Sequence, residues 1–310
     1  MAEIIQKDGT WSFDGDTVRI VPGSDKGVSR LRRTLGEIGV PLRAVAGLSY
    51  EPGKKAGRLR LRLRDGADPL AQITGGSLDD ASDPYRLKVD NDRSGVAEYL
   101  VDEVRTALLL EQVPQGPADG YLLPGPAVPI TVSAGDATVS FDGERIRLEF
   151  KWQAEEAKLS GGPRTLALAE VSAVEWMPSA SLENGFLRFS GPWTGPGRQE
   201  PKYDPYAVEL WGFRNDPLMA LVGAAVVARM PHPRAASGNG AAAAALPPAP
   251  APEPAAQVTA GPSATPPGEE GGHDHDALLR RLRELGELYS AGILTDEEFA
   301  TAKQAVLRRM

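Results

Sequence analysis

An internal duplication constrains this chain more than any other feature. Ser12-Phe13-Asp14-Gly15 returns as Ser140-Phe141-Asp142-Gly143, and Asp83-Pro84-Tyr85 returns as Asp204-Pro205-Tyr206. The order of apolar and polar stretches between these anchors also runs in parallel. Two copies of one domain are expected, as two similar surfaces joined by a short connection. Such a plan favours binding over a single catalytic cleft.

The first copy is expected within residues 1–112. Thr10 to Phe13 and Thr17 to Val21 read as a hairpin around Asp14-Gly15, a pair suited to a two-residue turn with positive φ. Leu42 to Tyr50 reads as a strand. Arg58 to Arg64 alternates strictly, which places Leu59, Leu61 and Leu63 on one face and four arginines on the other. Asp83-Pro84 breaks the chain before a strand through Tyr85, Leu87 and Val89. Ala97, Leu100, Val101, Val104, Ala107 and Leu108 then recur at helical spacing.

The second copy is expected within residues 113–230 and repeats the plan. Val139 and Phe141 lead into Asp142-Gly143, followed by Ile146 and Leu148. Val171, Val174 and Trp176 match the middle strand. Phe186 to Phe189 match the arginine strand with Arg188 alone, and Gly191 to Gly197 read as a loop. A closing helix is expected from Asp216-Pro217, with Asp216 as its capping carboxylate. Each copy therefore reads as mainly β, a small barrel of antiparallel strands plugged by one C-terminal helix.

Residues 231–274 form an Ala/Pro-rich linker, with few large apolar residues to offset ordering entropy, and are expected to be disordered. Residues 275–310 read as a two-helix hairpin. Leu278, Leu282, Leu285, Leu288 and Tyr289 supply the apolar side of the first helix, and Gly292 permits the turn. Ile293 and Leu294 precede a capping box at Thr295 and Glu298. Phe299, Ala302 and Val306 continue the apolar side in the second helix. A unit this small cannot bury a sufficient core alone, so its stripe must pack on the copies, on a partner, or on another tail.

The tail resembles the SHOCT (short C-terminal) domain of bacterial proteins. The residues that carry the likeness are Leu285, Leu288, Ala291 to Thr295, Glu298, Phe299 and Lys303 to Leu307. The duplicated region is similar to a bacterial domain of unknown function that occurs as a tandem pair ahead of such a tail, through its paired Phe-Asp-Gly and Asp-Pro-Tyr signatures. That resemblance implies a PH-like fold for each copy and a role for the tail in association between chains. It supplies no catalytic residues.

The chemistry-bearing residues narrow the function classes. The chain has no Cys and only 3 His, and none of these His is expected within a strand of either copy, so Ser-His-Asp and Cys-His catalysis are not expected. No cofactor or metal site is expected. His273-Asp274-His275-Asp276 reads as a helix cap rather than a cation site. A net charge of −8 argues against a nucleic-acid partner. Met1 to Asp16 has no apolar signal core, and Pro217 to Val227 is too short to span a bilayer, which needs about 20 residues. A cytoplasmic location is expected.

Two binding readings remain. In the first, the copies bind protein partners and the tail forms homo-oligomers. In the second, Arg58, Arg60, Arg62 and Arg64 hold an anionic ligand or membrane headgroup. The simpler alternative for those arginines is pairing with Asp or Glu on neighbouring strands.

Overall fold

The structure is a computed structural model that describes residues 1–180, 183–195 and 197–234. The linker beyond Arg234 and the helical hairpin expected at 275–310 lie outside the described residues.

The duplication is visible strand by strand. In the first repeat, β1 (Ala2–Gln6), β2 (Gly9–Phe13), β3 (Thr17–Pro22) and β4 (Ile38–Pro41) form a four-stranded antiparallel sheet in sequence order. A short helix, α1 (Arg30–Leu35), interrupts the β3–β4 connection. The second sheet holds β5 (Val45–Glu51), β6 (Ala56–Leu63) and β7 (Arg86–Asp90), with α2 (Pro69–Thr74) between β6 and β7. α3 (Ser94–Leu110) closes the repeat.

The second repeat copies this order. β8 (Ile130–Ala134), β9 (Ala137–Phe141), β10 (Arg145–Phe150) and β11 (Arg164–Ala167) make the larger sheet, with α4 (Glu156–Leu159) before β11. β12 (Ala173–Met177), β13 (Gly185–Ser190) and β14 (Ala207–Leu210) make the smaller one. α5 (Leu218–Val227) closes it. Among the described residues no counterpart of α2 lies between β13 and β14.

Each repeat therefore has two open sheets, and the expected closed barrel is absent among the described residues. A single 3-10 turn carries the chain from one sheet to the other, at Leu42–Ala44 and again at Leu168–Glu170. Among the described residues no ladder of hydrogen bonds crosses these junctions, so the two sheets of each repeat remain separate. The first of these turns also shortens the strand expected from Leu42.

The Asp-Gly hairpins differ from expectation in one detail. Phe13 pairs with Val18, and Phe141 with Ile146, so each connection has four residues. Asp14 Oδ1 accepts the amides of Asp16 and Thr17, while Asp142 Oδ1 accepts those of Glu144 and Arg145. The carboxylate closes the loop, so one left-handed residue suffices, Gly15 at φ 113° and Gly143 at φ 112°. These amide bonds hold both carboxyls below their usual pKa.

Packing departs most from the picture of two separate bodies. The first core gathers Trp11, Val18, Ile20, Leu59, Leu87 and Leu100, covered by the buried face of α3. The second gathers Phe141, Ile146, Leu148, Leu187 and Phe189 under α5, and it continues into Leu31 of α1 and Leu70 and Ile73 of α2. α5 therefore has repeat two's sheets on one side and repeat one's short helices on the other. Every residue from Met219 to Val227 is buried, which explains a sequence that is apolar all round. Gly223 lets α5 pack closely on both sides, since a Cβ there would lie 3.1 Å from Ile73 and 3.2 Å from Leu187. The helix also starts later than expected, at Leu218. The Asp216 carboxylate does not cap it, because Oδ2 turns back to the amides of Gly212 and Phe213 at 2.7 and 3.0 Å.

Candidate functional site

The arginine strand expected at Arg58 to Arg64 is β6 and the residue after it. Its inward leucines behave as the alternation requires: Leu59 and Leu61 are buried and Leu63 is half-buried. The four outward arginines do not form one uniform face. Arg58 lies 3.1 Å from Asp80. Arg64 spends its guanidinium on three carbonyls, those of Arg43, Gly116 and Pro117, at 2.7 to 3.1 Å. That fork ties β6 to the segment joining the repeats. Arg60 and Arg62 remain exposed.

The Asp-Pro-Tyr signature next to this strand is a turn device. Asp83 Oδ1 accepts the Tyr85 amide, and Asp204 Oδ1 accepts the Tyr206 amide, each at 2.9 Å. The second oxygen takes an arginine from a different place in each repeat. Asp83 pairs with Arg86 on β7 at 2.9 Å, while Asp204 pairs with Arg188 on β13 at 2.9 Å. Arg188 is buried and also donates to the Gln199 carbonyl.

Tyr85 carries a further contact that its counterpart lacks. Its hydroxyl donates to Asp68 Oδ2 at 2.8 Å. Asp68 is the cap of α2, accepting the amides of Leu70 and Ala71, with Pro69 at the first helical position and left-handed Gly75 at the end. Burial raises the Asp68 pKa, against the pull of those bonds. Burial first, then the Asp68 charge, pushes the Tyr85 hydroxyl well above its usual value. The pair positions α2, and α2 makes the seam with α5.

Two more carboxyls are buried, Asp136, which no reading of the sequence marks, and Asp216, which reads there as a helix cap. Asp136 lies 2.5 Å from Lys158 Nζ, and both side chains are fully enclosed. Lys158 also donates to the Ala207 carbonyl at 2.9 Å, and Asp136 Oδ1 accepts the Glu209 amide at 2.9 Å. Burial raises the Asp136 pKa despite the lysine. Asp216 is raised to about 6, again chiefly by burial. No sequence signal marks the Asp136–Lys158 pair, because its members lie 22 residues apart and their types are ordinary.

His232, expected at the end of the second copy, returns to the first. Its Nε2 lies 3.0 Å from the Gly66 carbonyl and its ring meets Tyr121 edge-on at 4.7 Å. It is a seam residue. Among the described residues no cluster of three His, Asp or Glu could hold a metal ion, and no helix is long and apolar enough to cross a membrane. The tail residues expected to mediate association, Leu278, Leu282, Leu285, Leu288, Tyr289, Ile293, Phe299 and Val306, lie outside the described residues.

Comparison with known proteins agrees with the repeat geometry. One family model, described as a domain of unknown function (DUF4429), matches twice, at residues 11–105 and 139–227. A second, described as a short C-terminal domain (SHOCT), matches residues 280–307. No curated protein matches the chain. With its two copies spanning more than half of the sequence, the chain belongs to the DUF4429 family and carries a SHOCT domain after the pair.

Proposed function

We propose that this protein is a non-enzymatic adaptor, in which paired PH-like modules bind a protein partner and the SHOCT tail links chains together. The PH-like reading is supported by the order seen twice, four antiparallel strands, then three, then a closing helix. The association of tails is supported by the apolar stripe from Leu278 to Val306, which a hairpin of that size cannot bury alone. A cytoplasmic protein fits the absence of Cys.

One observation carries the non-enzymatic reading. Every buried ionisable side chain among the described residues is spent on the fold. Arg32 holds Asp8, Asp68 caps α2, Lys158 holds Asp136, and Arg188 holds Asp204. Glu209 accepts from Asn184, Asp216 closes a turn, and His232 pins Gly66. Catalytic groups with shifted pKa values face a cleft in which substrate can reach them; the shifted carboxyls Asp68, Asp136 and Asp216 face backbone amides, the Tyr85 hydroxyl or a lysine instead.

Light scattering tests the tail. The full chain is expected to run as an oligomer, and a chain ending at Gly272 as a single copy. Equal masses of one chain for both would remove the association claim.

A further inference from the structure

The outward face of the first repeat's smaller sheet holds more positive charge than its neighbours neutralise. Register fixes which side chains lie opposite one another. Arg58 lies between Glu51 and Lys88, Arg60 between Ser49 and Arg86, and Arg62 opposite Gly47. Arg86 is occupied by Asp80 and Asp83, and Arg58 by Asp80. Arg60 and Arg62 have no ion-pair partner among the described residues. The pairing with neighbouring carboxylates that strand faces ordinarily adopt therefore fails at these two positions. Arg60 directly opposite Arg86 is moreover a like-charge pair, which weakens a sheet.

The second repeat shows the neutralised version of the same site. Register puts Arg188 where Arg60 stands and Ala207 where Arg86 stands. There Arg188 pairs with Asp204 and lies 3.9 Å from Glu175, which stands in the place of Ser49, and it is 4% exposed. In the first repeat Arg86 takes over that aspartate, which leaves Arg60 free. Ser190 stands in the place of Arg62, so the second repeat keeps neither free guanidinium.

The two arginines open onto a cleft of about 680 Å³, bounded across from β6 by Gln72, Gly75 and Gly76 at the end of α2. Asp65 and Asp83 also line it, and Asp83 is already held by Arg86. Gly47 gives the Arg62 fork its room, since a Cβ there would lie 3.3 Å from the guanidinium.

We propose that Arg60 and Arg62 together bind a phosphate group in this cleft. Residues two apart on a strand lie about 7 Å apart, within reach of one tetrahedral anion. A phosphate offers three oxygens and can engage two planar forks at once, whereas a lone carboxylate is satisfied by one. A soluble phosphate ester and a lipid headgroup share this chemistry. The site rests on the anionic-ligand reading of the arginine strand, not on the protein-partner reading, and it can fail or stand without the tail, because mass measures the tail and titration measures the strand.

The test uses the full chain, titrated calorimetrically with inorganic pyrophosphate at low salt and sedimented with phosphatidylcholine vesicles with and without phosphatidic acid. Arg60→Gln/Arg62→Gln is expected to weaken pyrophosphate binding by about tenfold or more, the loss of two charge-assisted contacts. Ser49→Glu leaves both arginines in place, supplies Arg60 with a carboxylate, and is expected to weaken binding in the same direction. Arg19→Gln, on the other sheet, is expected to bind as the parent does. Recruitment to phosphatidic acid that is lost in the double variant identifies a headgroup ligand; pyrophosphate binding without recruitment identifies a soluble one. No binding by the parent chain, or equal binding by the double variant, overturns the proposal.

Discussion

Lys158→Met would strip a fully buried carboxylate of its cation. Lys158 Nζ lies 2.5 Å from Asp136 and donates to the Ala207 carbonyl, so one side chain joins α4, the β8–β9 turn and β14. Methionine fills similar space but leaves Asp136 Oδ2 without its ammonium, and Glu209 lies close enough to raise the Asp136 pKa further. Breaking a buried pair from one side costs about 3–5 kcal/mol. With a urea slope of about 2–3 kcal/mol per molar, the unfolding midpoint falls by about 1–2.5 M. The pH dependence follows from the direction of the Asp136 shift. A carboxyl whose folded pKa lies above its unfolded value favours the folded state in acid, and that help is lost as pH rises through the raised value. Removing the lysine raises that value further, so the deficit of the variant against the parent widens from acid to neutral pH. Lys158→Met/Asp136→Leu removes both charges and is expected to recover part of the loss. Urea melts followed by tryptophan fluorescence read all three chains. An unchanged midpoint for Lys158→Met, or a deficit that stays constant with pH, would refute the reasoning.

Two further substitutions test the fold. Gly223→Val pushes a branched side chain against Ile73 across the seam and against Leu187 of its own repeat, and should cost about 1–3 kcal/mol by overpacking; a midpoint equal to the parent's would mean that the packing around α5 is loose. Asp216 favours its neutral form in the folded state, with a pKa of about 6 against the ordinary 3.8. Its contribution is greatest below the ordinary value and fades by about 3 kcal/mol as pH rises through the folded one. Asp216→Asn should lack this trend, so the stability of the parent relative to that variant falls across the window, and a constant gap in urea melts would contradict it.

Much of the repeat plan was legible because it rests on local chemistry. Phe13-Asp14-Gly15 and Asp83-Pro84-Tyr85 mark turns whose side chains bond their own backbone, and such turns survive in sequence as short motifs. The Arg-Leu alternation gave β6 with its faces correctly sorted. α2 was harder. Asp68, Pro69 and Gly75 are strong boundary signals, yet six residues are too few to show a helical period. The role of α5 was hidden in another way. An apolar run from Leu218 to Val227 has no polar face to announce its two contacts, so sequence supports only a plug for its own repeat. Free and occupied arginines cannot be told apart from β6 alone, since the difference lies in Ser49, Gly47 and Arg86 on the flanking strands. The Lys158–Asp136 pair joins positions that nothing in the local pattern connects.

The seam also sets an order of events during synthesis. A ribosome delivers α1 and α2 long before α5, which is the last helix of the pair. Until then the shelf formed by Leu31, Leu70 and Ile73 has no cover, and an emerging chain that exposes such a surface is prone to clump. Cutting the gene between the copies would recreate that hazard on both halves, leaving one with a bare shelf and the other with a greasy rod. The duplicated unit can thus be moved between proteins only as a pair.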